Sequence, residues 1–179
     1  EEFYRWPVFL HEINLVMRPN VIACIPDRHA TAPEFVINGH MDVVPAGPEE
    51  DWTFPPYSGM RREGRVHGRG AVDMKGGLAA GIYAARAIQQ LGVELPFNVQ
   101  IQCVIAEESG GLGTASLART MPKPLAVFVL EPTDSKVLTA LGGALPFTAS
   151  VSGVAAHVGK PWGGVDAFDK LLLIIEALK

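Results

Sequence analysis

The stretch NVQIQCVIAEE, residues 98–108, decides the fold. Residues 98–106 read as a strand, and two adjacent carboxylates, Glu107 and Glu108, follow it directly. Upstream, residues 35–39 (FVING) are a short apolar run ending in Gly, a second buried strand, after which comes His40-Met41-Asp42. Downstream, residues 125–130 (LAVFVL) read as a third strand, followed by Glu131. Between the first two strands, residues 74–91 carry Leu78, Ile82, Ala85 and Ile88 at helical spacing, and Gly92 is a stop signal. Gly113 to Arg119 suit a short helix. Strands alternating with helices predict an α/β fold, a mixed and largely parallel sheet flanked by helices.

Bulk properties narrow the partners. The chain has 179 residues, 48% hydrophobic and 19% charged, with a formal net charge of -4, which suits a packed core. It lacks a basic run, so nucleic acid is excluded as an expected partner. No stretch approaches the roughly 18 apolar residues of a membrane span, and Leu171 to Ile175 is the longest near-apolar run. With no initiator Met and no signal pattern, the opening Glu-Glu-Phe-Tyr reads as a cut into an existing fold. Cys24 and Cys103 sit in apolar strand-like runs and are expected as buried free thiols, which suits a cytoplasmic location.

Residues 45–69, rich in Pro, Gly and charge, are expected as one long surface loop. After Gly142-Gly143 the pattern changes. Leu145, Phe147, Ala149 and Val151 alternate as in a strand with one wet face, and an apolar helix begins near Asp166. The expected boundary lies near residue 143, giving a metal-binding domain over 1–143 and the start of a second domain over 144–179.

The chemistry rests on placement. His40-Met41-Asp42, Glu107-Glu108 and Glu131 each follow a strand, and Asp73 opens a helix. Open α/β sheets bind ligands at the carboxyl ends of their strands, so these residues are expected to converge. Clustered carboxylates repel one another in low dielectric and are tolerated when they share protons or bind cations. An imidazole among carboxylates suits zinc, cobalt or manganese, and an open position suits catalysis. On a tight turn, one of Glu107 and Glu108 can ligate while the other takes a proton from water. Asp42, two residues after His40, is placed to accept the second imidazole N–H.

Singly, each motif has an ordinary reading. His-x-Asp caps turns, Asp73 can cap a helix, Glu107-Glu108 can be a solvated turn, and Glu131-Pro132-Thr133 can be another. Their joint position at strand ends favours the metal reading. His67 reads as a loop residue, and His11 and His29 lack supporting neighbours. Residues 68–73 (GRGAVD) mimic a dinucleotide fingerprint but lack its third Gly. Arg69 and Lys160 are candidates for gripping a carboxylate, though surface solvation is the ordinary role of each.

In order along the chain, GHMDVVP (39–45), GRGAVDMKGG (68–77), AEESGGLGT (106–114), EPT (131–133) and GVAAHVGKPWGGVDA (153–167) resemble the family of acetylornithine deacetylase, succinyl-diaminopimelate desuccinylase, aminoacylase-1 and bacterial glutamate carboxypeptidase. The resemblance implies a zinc-exopeptidase-like catalytic domain followed by the start of a truncated α+β lid and dimerisation domain. It implies two zinc ions, with His40 and Glu131 on the first, Asp73 bridging through a position followed by a cis peptide, and Glu108 on the second. Glu107 would be the general base, Asp42 would orient His40, and His157 would steady the oxyanion from the lid of a partner subunit. Three departures stand out. The family's further zinc histidine would lie beyond residue 179, the lid is incomplete, and Asp166 stands where relatives usually carry Asn.

The expected function is therefore hydrolysis of the amide bond of a small N-acyl amino acid or dipeptide, by a homodimer. A non-catalytic scaffold of the same fold and a two-metal phosphoesterase are the alternatives, and metal stoichiometry and substrate panels separate them.

Overall fold

The computed structural model describes residues 18–25, 32–143 and 147–178. Its strands are β1 (Val21–Ile25), β2 (Glu34–His40), β3 (Met60–Arg62), β4 (Arg65–His67), β5 (Asn98–Val104) and β6 (Ala126–Val129), and its α-helices are α1 (Gly77–Gln90), α2 (Leu112–Thr120) and α3 (Ala167–Ala177). The chain divides into two compact units, Glu1–Val137 and Leu138–Lys179. The expected boundary near 143 falls a few residues inside the second unit.

The main sheet has the order β1-β5-β2-β6. β2 runs parallel to both β5 and β6, and β1 is antiparallel to β5. The expected mixed, largely parallel sheet is thus observed. Alternation sorts each strand onto two faces. One face carries Ile37, Val99 and Ile101, which pack with Ala85 of α1 and with the partly buried Phe35, Phe97 and Leu130. Burial of these side chains removes α1's apolar stripe from water and fixes the helix on the sheet.

The opposite face is polar. Asn38, Gln100 and Gln102 are all buried there. Asn38 donates to Gln102 at 3.1 Å, and Gln102 donates to Gln100 at 2.6 Å. Beneath α2 this face leaves a cavity of about 360 Å³, lined by these amides together with Leu117 and Met121.

Several local expectations are corrected. The helix expected from residue 74 starts at Gly77, because Ala71–Gly76 is an irregular turn in which Asp73 (φ -114°, ψ 101°) and Met74 (φ -126°, ψ 25°) leave helical geometry. The Asp73–Met74 peptide is cis. Asp73 is not the helix cap; Gly76 holds that position without a side-chain cap. The loop over 45–69 contains the β3–β4 hairpin, turned at Glu63 and Gly64, both with positive φ. Of the alternating strand expected over 145–151, residues 144–146 lie outside the described residues and 147–151 form no ladder, since no strand lies alongside them among the described residues. The second unit instead pairs Val154 with Val165, and Asp166 caps α3 by accepting from the Phe168 amide at 2.7 Å. Both cysteines are free, but Cys24 is exposed and Cys103 only half-buried. Cys24 lies on β1, at the edge of the sheet.

Close approach of α1 to the end of β6 requires Gly77. A Cβ there would press on the Leu130 carbonyl oxygen and lie 3.2 Å from the Leu130 Cβ. In an exposed helix Gly→Ala stabilises by about 1 kcal/mol. Here Gly77→Ala should instead destabilise by about 1–3 kcal/mol, the usual range for overpacking, as read from the urea midpoint.

Candidate functional site

Register brings the site together. His40, the last residue of β2, pairs with Val104 of β5, and Met41 N–H donates to the Val104 carbonyl at 2.8 Å. Glu107 and Glu108 therefore emerge beside His40. On the other side of β2, Leu130 N–H donates to the Asn38 carbonyl at 3.2 Å and brings Glu131 to the same edge. Asp73 arrives from the turn before α1, whose next residue, Met74, is 1% exposed. Met74 accepts the His40 backbone N–H on its sulfur at 3.1 Å. That contact ties the turn carrying Asp73 to the strand carrying His40.

The imidazole of His40 is fully buried. Its Nε2 lies 3.0 Å from Asp73 Oδ1 and 3.9 Å from Glu107 Oε2. Its Nδ1 lies 2.9 Å from the main-chain oxygen of Asp42 and 3.6 Å from that residue's carboxylate. The second imidazole nitrogen is thus held by the Asp42 carbonyl rather than by its side chain, as the sequence reading had it. The Asp42 carboxylate has another task. Its two oxygens accept the backbone N–H groups of Glu107 and Glu108, each at 3.2 Å. One side chain therefore fixes the turn that presents both glutamates. Sequence reasoning missed this role, because a backbone contact across 65 residues leaves no local pattern.

The turn is anchored below as well. Asn20 donates to the Gly113 carbonyl at 3.0 Å and accepts from Ile105 N–H at 3.1 Å. Gly113 sits so close to the Ile105 backbone that a Cβ would meet its N and O. The start of α2 is consequently pinned against the end of β5.

Two groups of ligand-type atoms result, His40 with Asp73 and Glu108, and His40 with Glu107 and Glu131, each within 4.8 Å. The structure brings five of the seven expected site residues into these groups, with Asp42 beneath them. The grouping differs from the resemblance, since Glu107 stands with His40 and Glu131 rather than apart, Glu108 stands with His40, and Asp73 is grouped with Glu108 but not with Glu131. His157 belongs to the second unit, where it is exposed and its Nδ1 accepts from Gly159 N–H at 3.0 Å.

The electrostatics reflect crowding. Partial burial pushes the Glu107 carboxyl up, His40 opposes the rise, and Glu108, Asp42 and Asp73 add to it. Burial likewise pushes Glu131 up, with His40 opposing and Glu107, Asp73 and Glu108 adding. For His40 burial disfavours the charged form, but the Asp73 hydrogen bond, the Asp42 carbonyl and nearby carboxylates outweigh it, and its pKa rises. A divalent cation would relieve this repulsion, and one imidazole among several carboxylates is a donor set suited to such an ion.

A mixed sheet with helices over its faces and a histidine–carboxylate cluster at its strand ends defines the class, an α/β protein with a group of side chains that could hold a metal ion. Residues 36–163 match the model of peptidase family M20/M25/M40, and the chain belongs to that family. It is 33% identical over 164 residues to a probable succinyl-diaminopimelate desuccinylase of Staphylococcus epidermidis, covering 90% of this chain and 40% of that protein. It is 29% identical over 173 residues to the N-formyl-4-amino-5-aminomethyl-2-methylpyrimidine deformylase of Halalkalibacterium halodurans, with the same coverage of 90% and 40%. A solved M20 family metallo-carboxypeptidase of Sulfolobus solfataricus aligns with a TM-score of 0.53 and 28% identity, over 62% of this chain and 25% of that one. The chain thus spans about 40% of the length of the curated relatives it matches.

Two outcomes follow from the geometry. In Asp42→Ala the amides of Glu107 and Glu108 lose a charged acceptor, and their hydrogen exchange should speed about tenfold or more, measured by NMR. Without a bound cation, stability should fall as pH rises. Raised carboxyl pKa values mean that the folded state holds protons the unfolded chain has released above 4.5, and the raised His40 pKa extends the loss above 6.5. Urea midpoints in chelator across that window check this, and added divalent cation should flatten the slope.

Proposed function

We propose that the chain carries the catalytic domain of a metal-dependent hydrolase that cleaves the amide bond of an N-acyl amino acid or small peptide. The observation that carries the reading is the meeting of His40, Asp73, Glu107, Glu108 and Glu131 in overlapping groups whose ligand atoms lie within 4.8 Å. The relatives' names, a desuccinylase, a deformylase and a metallo-carboxypeptidase, support amide chemistry.

In this reading His40, Asp73, Glu108 and Glu131 hold zinc, two ions per subunit, with cobalt or manganese as substitutes. A cation held there supplies positive charge that polarises an amide carbonyl and acidifies water. Glu107 accepts a proton from the attacking water on its carboxylate and returns it to the departing nitrogen. Asp42 positions both the imidazole and the glutamate turn.

The reading extends to the rest of the chain. Residues 1–143 form the catalytic part, 144–179 begin a lid that joins two subunits, and His157 steadies the oxyanion. The cytoplasm is the assigned compartment; among the described residues, no helix is long and apolar enough to cross a membrane.

Two substitutions test the assignment in the full-length protein. Glu107→Gln should retain metal while kcat falls about 100-fold or more, in the range set by losing general acid–base catalysis. Asp73→Ala should lose metal, measured as zinc content after dialysis. Undiminished turnover in Glu107→Gln would remove the assigned base.

A further inference from the structure

Consecutive residues of the turn before α1 fasten to the end of β2. Asp73 Oδ1 lies 3.0 Å from His40 Nε2, Met74 Sδ accepts the His40 amide at 3.1 Å, and Lys75 Nζ donates to the Met41 carbonyl at 2.6 Å. The first contact joins two residues assigned to the metal. The second is a buried anchor, since Met74 is 1% exposed. The third involves neither a metal ligand nor the assigned base.

Lys75 reaches Met41 through a slot left open by a glycine. A Cβ on Gly70 would lie 2.6 Å from Val43 Cγ1, 3.4 Å from Lys75 Nζ and 3.5 Å from Lys75 Cδ. The lysine stem therefore passes close over Gly70, beside Val43. The Lys75 amide also donates to the Gly70 carbonyl at 2.9 Å, which closes the turn under that stem. The β2–β6 ladder ends at Asn38 and Val129, so the Met41 carbonyl lies past it, and the ammonium partners that carbonyl.

Asp73 depends on this fastening. Its side chain is 53% exposed and its backbone (φ -114°, ψ 101°) is outside helical geometry, so neither burial nor a regular helix holds it. His40 is fixed by other means, with its ring buried and Nδ1 against the Asp42 carbonyl at 2.9 Å. The separation of the pair is thus set by where the turn sits, and Met74 and Lys75 set the turn. A hydrogen bond from an ammonium is stronger than one between neutral groups. It falls on the peptide between His40 and the Asp42 carboxylate that grips the glutamate turn.

We infer that Lys75 is a positioning residue, whose ammonium holds the Asp73 carboxylate against the His40 imidazole so that both face one cation. The inference deepens the metal reading above and rests on it for its effect on turnover.

The test uses the full-length protein as wild type, Lys75→Met and Lys75→Arg. Methionine keeps most of the stem and removes the donor, whereas arginine keeps a charged donor. Metal-stripped protein is titrated with cobalt(II), whose visible absorption bands report coordination geometry. Lys75→Met should weaken cobalt binding about tenfold or more, the scale of losing a charged hydrogen bond, and should change the band shape. Lys75→Arg should recover part of both changes. With an N-acyl amino acid and saturating metal, Lys75→Met should lower kcat about tenfold while KM stays within about twofold. In metal-stripped protein at fixed pH, the His40 ring nitrogen resonances should shift in Lys75→Met, because Asp73 moves relative to Nε2. A lysine that merely stabilises the fold would lower the melting temperature and leave cobalt affinity, band shape and ring resonances at wild-type values. That result would overturn the inference. If wild type takes up cobalt but hydrolyses no N-acyl amino acid, the hydrolase reading fails, and the cobalt and ring measurements still decide the role of Lys75. If wild type takes up no cobalt, the metal reading fails, and unchanged ring resonances in Lys75→Met would then sink the positioning role as well.

Discussion

The grip of one carboxylate on two consecutive amides organises this molecule's business end. Asp42 leaves β2 immediately after His40 and reaches across to the turn that ends β5, accepting from Glu107 and Glu108 together. A charged acceptor shared by adjacent N–H groups is worth more than a neutral one, and here it holds two acidic side chains close despite their repulsion. The same residue's carbonyl sets the ring of His40, so strand, turn and imidazole are fixed relative to one another through a single side chain and its backbone.

Close packing of helices onto strand ends complements that grip. Gly77 and Gly113 stand at the first turns of α1 and α2, each against a backbone carbonyl at the end of a strand. Their missing side chains let the helices start where the acidic residues emerge. Met74, buried against β2, gives the His40 amide a thioether in place of a main-chain partner. A polarizable sulfur tolerates the irregular geometry of that turn better than a rigid carbonyl would.

What the sequence disclosed follows from where periodicity is strong. The runs at 35–39, 98–106 and 125–130 are apolar enough to mark β2, β5 and β6, and carboxylates directly after them mark the site. Expectations failed where structure depends on distant partners. The α1 start moved to Gly77 because burial of Met74 and the turn around Asp73 are tertiary facts, invisible to a helical period. The β3–β4 hairpin has strands of three residues, too short for alternation to register within a charged loop. Alternation over 145–151 did not yield a ladder, because a strand needs a neighbour as well as a pattern. Cys24 is apolar in context yet exposed, since an edge strand has an open side.

The amide row on the far face carries one more consequence. Asn38 of β2 donates to Gln102 of β5, Gln102 donates along β5 to Gln100, and Gln100 donates toward the Cys24 sulfur of β1 at 3.9 Å, so the row links three strands. Sliding β5 by one residue against β2 would carry both glutamines to the hydrophobic side and drop Val99 and Ile101 among amides. The row thus works as a key cut for one alignment of the strands, and that alignment is the one that sets Glu107 and Glu108 opposite His40.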